Sequence, residues 1–259
     1  ISINIKMIKN RLLKNLKIVD GTGMPPFYGD IAIKGDTIVE IGKLNSSADL
    51  KIDLSGLIAA PGFIDIHNHS DRSIFEEPMA GNYISQGVTT LVVGNCTSLE
   101  DIGFNKYDKD WTSFYKYMDD LDKQEKAVNV ASMIGHGNVR GTIIGMEDRK
   151  PSSKELKSMK AIVREDMAEG AFGMSSGLIY DPGVFADGDE ITELSKIVAE
   201  YGGIYSTHIR NESDLLIESV LEAINIGRRS GARVQISHHK ASGRRNWGLV
   251  KNTLDLMSY

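Results

Sequence analysis

The sequence predicts an α/β fold, an incomplete TIM-type (β/α) barrel of about six of the eight units behind a small N-terminal β domain. Three observations carry this. Residues 1–60 are short alternating β-type runs, β-type and helical runs take strict turns from residue 61 onward, and all six histidines fall where those later β-type runs end.

In residues 1–60 the runs LKIVDG, DIAIKGDTIVEIG and KIDLSG are interrupted by glycine, aspartate and the pair Pro25-Pro26. That punctuation fits a small sandwich-like β domain, incomplete by itself. Residues 61–259 form the barrel domain. FIDIHNH precedes the helical PMAGNYISQG, TTLVVGNC precedes WTSFYKYMDDLDKQ, and NVASMIGHG precedes SSKELKSMKAIVREDMAEG. AFGMSSG, GIYSTHI and RVQISHHK follow, each before its own helical run, EITELSKIVAEYGG, SDLLIESVLEAINIGRRSG and NWGLVKNTLDLMSY. Ser152 with Glu155 forms a capping box, and Gly202 stands where a helix C-cap is wanted. Such units build a parallel sheet whose natural closure is a barrel. The sixth helical run ends at Tyr259, so about two units of a complete barrel are expected to be missing.

Composition narrows the function. A chain of 259 residues, 41% hydrophobic and 25% charged, can bury a sizeable core. The net charge of −5 comes without a long block of like charge, which argues against nucleic acid and membrane surfaces and leaves small molecules or protein subunits as partners. The single cysteine, Cys96, excludes an internal disulfide framework and fits a reducing compartment. No apolar run reaches membrane-spanning length and ISINIKMIKNRLLKN lacks a signal-peptide core, so a cytoplasmic protein is expected. A chain that starts at Ile1 rather than methionine leaves room for an upstream targeting segment. Oligomeric state is not readable.

Period-two alternation sends Asp65, His67 and His69 to one side of the first barrel strand, and barrel enzymes build their sites at the C-terminal strand ends. The other strand ends carry Cys96, His136, His208, and His238 with His239. Neutral imidazole and thiolate suit Zn²⁺, with Zn–N near about 2.0–2.1 Å and Zn–S about 2.3 Å. An ion with an open position would activate water and polarise a carbonyl, which is the chemistry of hydrolysis. His239 points away from His238 in a regular strand, so at most one of the two is a ligand. GHG around His136 reads equally as a strand-end turn.

PGFIDIHNHSD, QGVTTLVVGNC, GHGNVRG, EGAFGMSSGLIYDPG, YGGIYSTHIRNE and VQISHHKASGRRNWG resemble, in order, the motifs of the N-acyl-D-amino-acid deacylases (D-aminoacylases) of the amidohydrolase superfamily. The resemblance implies zinc-dependent hydrolysis of N-acyl-D-amino acids, small-molecule substrates. It implies that Cys96, His208 and His238 hold the tightly bound zinc and that His67 and His69 belong to an adjacent weaker site. Tyr180 of GLIY and Lys240 of SHHK would hold substrate, a lysine ammonium being a suitable partner for its carboxylate. Arg210 of THIRNE is a further candidate for that carboxylate.

Two departures qualify the resemblance. Thr97 and Ser98 follow GNC where the family commonly has a glycine before the serine. The aspartate that follows the last barrel strand in the family, metal ligand and general base, has no counterpart before Tyr259. Asp65 and Asp71 do not match its motif, so this chain is expected to be an inactive fragment of the enzyme. A cyclic amidase of the hydantoinase or dihydroorotase kind is the alternative enzyme, but such enzymes use a carbamylated lysine on the fourth strand, and AFGMSSG has none. A non-catalytic zinc-binding truncated product is the third reading.

Overall fold

In β1 (Asn10–Ile18), Leu13 packs into a small apolar cluster before a bulge, and Leu16 and Ile18 after it, because the register against β2 (Phe27–Lys34) slips by one residue between Leu13 and Leu16. Asn15 is left-handed at the slip (φ 62°), and its N–H donates to Asp30 Oδ1 at 2.9 Å. β2 pairs antiparallel with β3 (Thr37–Gly42), while β4 (Leu50–Asp53) and β5 (Ile58–Ala59) run parallel to β1. The computed structural model describes residues 10–96, 111 and 113–258. The chain divides into two units between Gly62 and Phe63. Among the described residues no helix is long and apolar enough to cross a membrane.

Among the described residues, the strands of the second unit are all parallel. β6 (Phe63–Asp65) pairs with β7 (Val88–Val93) and β7 with β8 (Asn129–Ser132). β9 (Ile134–Gly135) pairs with β10 (Gly173–Gly177), β10 with β11 (Ile204–His208), and β11 with β12 (Arg233–Ile236). β8 and β9 are one strand interrupted at Met133, whose N–H donates to Val93 O at 3.0 Å while Phe172 N–H reaches Ser132 O at 2.8 Å. Each strand therefore lies beside its neighbour in sequence, with no reversal of order. That succession belongs to a (β/α) barrel rather than to a doubly wound sheet, whose order turns back at a switch point.

Helices return the chain between the strands. They are α1 (Ser73–Glu76), α2 (Gly81–Ile84), α3 (Phe114–Lys123), α4 (His136–Ile143), α5 (Ser153–Ala168), α6 (Gly188–Glu200), α7 (Leu216–Ser230) and α8 (Leu249–Met257). The capping box opens α5 as its sequence demands, with Glu155 N–H donating to Ser152 Oγ at 3.3 Å and Ser152 N–H to Glu155 Oε2 at 2.7 Å. Gly202 closes the α6 end in the left-handed conformation at φ 72°. PMAGNYISQG gives only the single-turn α2, since Pro78 precedes it, Ala80 is left-handed (φ 45°) and Gly87 follows. Met174 of β10 and Tyr205 of β11 are buried against Met159 and Val163 of α5 and Ile191, Leu194 and Val198 of α6, which forms the main core.

Gly94 shows how tightly the strand ends are packed. It is left-handed (φ 78°), and a Cβ there would collide with the backbone of Met133 at the strand interruption. Gly94→Ala is expected to lower the unfolding free energy by about 3 kcal/mol or more, strain and overlap adding. Urea unfolding of the variant checks this, and a midpoint equal to the parent's would contradict it.

Candidate metal centre

The candidate ligands stand just beyond the strands rather than on them. β6 ends at Asp65, and His67 and His69 lie in the following loop, where Asp65 Oδ1 accepts the His67 N–H at 3.2 Å. The alternation expected to align the H-x-H pair is thus replaced by an aspartate-stabilised turn. β7 ends at Val93, and Cys96 follows in the left-handed conformation (φ 65°). His208 is the last residue of β11. β12 ends at Ile236, so His238 and His239 also lie past their strand, His238 with φ 35°. Cys96 and His238 are two of the four non-glycine residues with positive φ among the described residues. Such strain collects at functional sites.

A buried polar frame holds these turns. Ser175 Oγ of β10 donates to Gly94 O at 2.5 Å and reaches Cys96 O at 3.2 Å. Asn95 Nδ2 donates to Val92 O at 2.9 Å, and Ser206 Oγ is 3.2 Å from Ser237 Oγ. Gly177 is equally constrained, since a Cβ there would stand 2.9 Å from the Tyr180 ring and 3.4 Å from Cys96 Cβ.

The predicted ligands converge. Donor atoms of His67, Cys96 and His238 lie within 4.8 Å of one another, as do those of His208, Glu212 and His238. Cys96 Sγ is 3.9 Å from His208 Nδ1. Ring centroids are 5.3 Å apart for His67 and His69, 5.1 Å for His67 and His238, and 4.3 Å for His208 and His238. Among the described residues, both His67 nitrogens and His208 Nε2 are buried without a hydrogen-bond partner, which costs free energy unless something else receives those lone pairs or protons. Two or three imidazoles and a thiol with unmet donors fit a divalent ion of zinc type.

Burial favours the neutral forms of His67, His208 and Cys96. Burial first, then neighbouring His238 and His69, lowers His67 to about 4. Burial also lowers His208, against the pull of Glu212. Burial, with the Glu212 carboxylate second, raises the Cys96 thiol to about 11. Neutral imidazoles have lone pairs to give at neutral pH, whereas the thiol must shed a proton to become a ligand.

The remaining predicted residues divide. The Tyr180 ring stands edge-on to His208 at 5.0 Å, half exposed. Lys240 Nζ lies 2.5 Å from Glu212 Oε1 and 2.9 Å from His238 Nδ1. Arg210 is directed elsewhere. Its guanidinium donates to Glu222 Oε1 and Oε2 at 3.0 Å and to the carbonyls of Val184 and Ala186 at 2.8 and 2.7 Å. With those donors engaged, the expectation that Arg210 meets a substrate carboxylate gives way to a structural role, tying the segment after Tyr180 to α7. His136 is fully buried at the start of α4, with Nε2 2.8 Å from Glu190 Oε1, and Arg140 pairs with the same carboxylate. His239 Nε2 is 2.8 Å from Thr253 Oγ1 of α8, away from the cluster. Thr97 and Ser98 lie outside the described residues. Glu212 is the residue that sequence reasoning missed. It sits four residues past His208 in THIRNE, and only the approach of the β12 turn makes it part of the site.

Candidate metal ligands gathered at the ends of parallel strands in this order are the arrangement of the amidohydrolase class, and the chain belongs to the amidohydrolase family, whose sequence profile matches residues 51–225. It is 35% identical to a D-aminoacylase of Alcaligenes xylosoxydans xylosoxydans across 95% of this chain and 54% of that protein. A crystal structure of a D-aminoacylase superposes with a TM-score of 0.90 at 34% identity, over 97% of this chain and 56% of the other. An N-acyl-D-glutamate deacylase from Bordetella bronchiseptica, solved with zinc and a phosphonate inhibitor that mimics the tetrahedral intermediate, superposes with a TM-score of 0.89 at 33% identity, over 96% and 55%. These neighbours establish an α/β fold of TIM type. The chain spans about half the length of the curated relatives it matches.

Three outcomes follow from this geometry. Cys96→Ala is expected to lower zinc content steeply, and His239→Ala to leave it near the parent's. Because the thiol holds its proton up to about 11 and His67 is already neutral above about 4, uptake of the ion displaces one proton. Affinity should therefore rise about tenfold per pH unit around neutrality, which chelator competition at several pH values measures. Arg210→Ala is expected to cost about 1–3 kcal/mol of stability through loss of a half-buried network, read from urea midpoints, with zinc content unchanged.

Proposed function

We propose that the protein is a zinc-dependent hydrolase of the amide bond in N-acyl-D-amino acids, releasing a carboxylate and a free D-amino acid. The observation that carries the reading is the gathering of Cys96, His67, His208 and His238 from four different strand ends, with Lys240 beside them. Cys96, His208 and His238 would hold the principal zinc, and His67 and His69 an adjacent site. The barrel unit, residues 61–259 behind a β domain of residues 1–60, contributes about six of the eight βα units. When bound, zinc supplies Lewis-acid polarisation of the amide carbonyl and acidification of water.

The chain's own groups do the rest. Lys240 retains exposed ammonium donors beyond its bond to Glu212 and binds the substrate carboxylate. Tyr180, edge-on to His208, borders the acyl end and narrows access of bulk water. One contact to the carboxylate and one to the carbonyl leave the third substituent to decide which enantiomer fits, the basis of the D preference. The carboxylates nearest the cluster are committed to other donors, Asp65 to His67 N–H, Asp71 to Gly94 N–H, and Glu212 to Lys240. None of the described residues is therefore assigned as general base, a role whose loss typically removes about 10²–10⁴-fold in rate.

The protein that carries this sequence is expected to deacylate N-acetyl-D-amino acids and scarcely to touch the L-forms. Side-by-side assay with hydantoin and dihydroorotate tests this, and preferred opening of those rings would replace the proposal with a cyclic amidase. Ordinary deacylase turnover by the 259-residue chain alone would show that Asp65, Asp71 or Glu212 serves as the base.

A further inference from the structure

We propose that His208 Nε2, His238 Nδ1 and Glu212 Oε1 form a second divalent-cation site, whose place the Lys240 ammonium holds, and that this site competes with Cys96 for the His208 ring. The site itself goes beyond the zinc reading above, and only the competition rests on that reading.

The three atoms stand at ligand spacing. Glu212 Oε1 is 3.0 Å from His238 Nδ1 and 3.4 Å from His208 Nε2, and the donor atoms of the three residues all lie within 4.8 Å of one another. Bonds of about 2.1 Å that meet at about 90–110° hold their donor atoms about 3.0–3.4 Å apart. Two imidazoles and one carboxylate suit Zn²⁺, Co²⁺ or Fe²⁺ and leave further positions for water. Among the described residues, His208 Nε2 has no hydrogen-bond partner, on a side chain only 8% exposed. A cation shared with the carboxylate would satisfy that nitrogen.

Lys240 marks where the cation sits. Its Nζ is 2.5 Å from Glu212 Oε1 and 2.9 Å from His238 Nδ1. An ammonium only donates, so His238 Nδ1 presents a lone pair, as the carboxylate does. Two acceptors at this separation repel each other unless positive charge lies between them. Lys240 supplies one charge, whereas a divalent ion supplies two and also engages His208 Nε2. The ammonium stands half exposed on a flexible stem, so once displaced it swings into water.

The His208 ring serves one site at a time. Its Nδ1 is 3.9 Å from Cys96 Sγ while its Nε2 faces Glu212, and a neutral imidazole that binds through one nitrogen keeps its proton on the other. An ion beside Glu212 therefore takes His208 from the thiol. By holding that place, Lys240 keeps the ring available to Cys96.

The test is cobalt affinity, measured by chelator competition at fixed pH on the full chain as parent, C96A, C96A/K240M and C96A/K240M/E212Q. On the thiol-free background, K240M is expected to raise Co²⁺ affinity about tenfold or more, because a positive charge beside the ion is removed, and E212Q added to it should reverse the gain. Metal-free melting temperatures should agree across the set, since Lys240 is half exposed and Ser242 N–H holds the Glu212 backbone oxygen at 2.6 Å. A gain below twofold, or one that survives E212Q, overturns the site. Long-range ¹H–¹⁵N spectra of zinc-loaded C96A/K240M give an independent readout. They should show His208 bound through Nε2 and His238 through Nδ1, and binding through the opposite nitrogen of either ring overturns the site as well. With Cys96 present, K240M alone should weaken the thiolate-to-cobalt charge-transfer absorption at equal cobalt loading, and an unchanged band overturns the competition. The zinc reading is judged apart from these. C96A with the parent's affinity sinks that reading and the competition with it, while the response to K240M and E212Q still decides the second site.

Discussion

Cys96 and His238 are held with positive φ, at 65° and 35°, and the candidate centre depends on that constraint. A residue with a Cβ in this region costs about 1–3 kcal/mol, so both turns persist only where the surroundings over-determine them. Left-handed turns just beyond β7 and β12 bring a thiol and an imidazole back over the strand ends, which extended backbone would carry past them. The hydrogen bonds from Ser175 to the carbonyls of Gly94 and Cys96 and from Asn95 to Val92 offset part of that cost. Chemistry at the rim is thus purchased by order one layer below it.

The same site carries a second unfavourable feature, a crowd of polar atoms with too few partners. Among the described residues, His67 has no hydrogen-bond partner on either nitrogen, and His208 has none on Nε2. Burial responds by keeping the imidazoles neutral and the thiol protonated. Neutral imidazoles do not repel an incoming cation, and the Glu212 carboxylate at the cluster's edge attracts it. On the proposed zinc reading, binding would come at the expense of one thiol proton.

Charged residues from the same motifs serve the scaffold instead. Arg210 bridges α7 and the segment after β10 through four hydrogen bonds, which fixes the stretch that carries Tyr180 relative to β11. His136 and Arg140 converge on Glu190 with every group buried, and Arg140 also reaches the carbonyls of Glu147 and Arg149 at 3.1 and 2.7 Å. Removing one member would leave the others buried and unpaired, a heavier loss than their mutual attraction suggests. A histidine and an arginine at a strand end can look catalytic and be a bolt between α4 and α6.

The sequence by itself determined the alternation of strand and helix, the capping of α5 and α6, and the strand-end placement of the histidines and cysteine, because apolar periodicity, caps and strand ends are local properties of the chain; the choice among those residues came from the family resemblance. Alternation implied only that at most one of His238 and His239 faces the cluster, and the family resemblance pointed to His238; in the structure a left-handed turn and a bond from His239 to Thr253 separate them. Tertiary structure decided what depends on distance between remote segments. It turned Arg210 toward Glu222, closed His136 onto Glu190, and set Glu212 against a histidine 26 residues further along. The partner of a charged side chain is chosen by whichever opposite charge the fold desolvates beside it, and no local pattern in the chain encodes that.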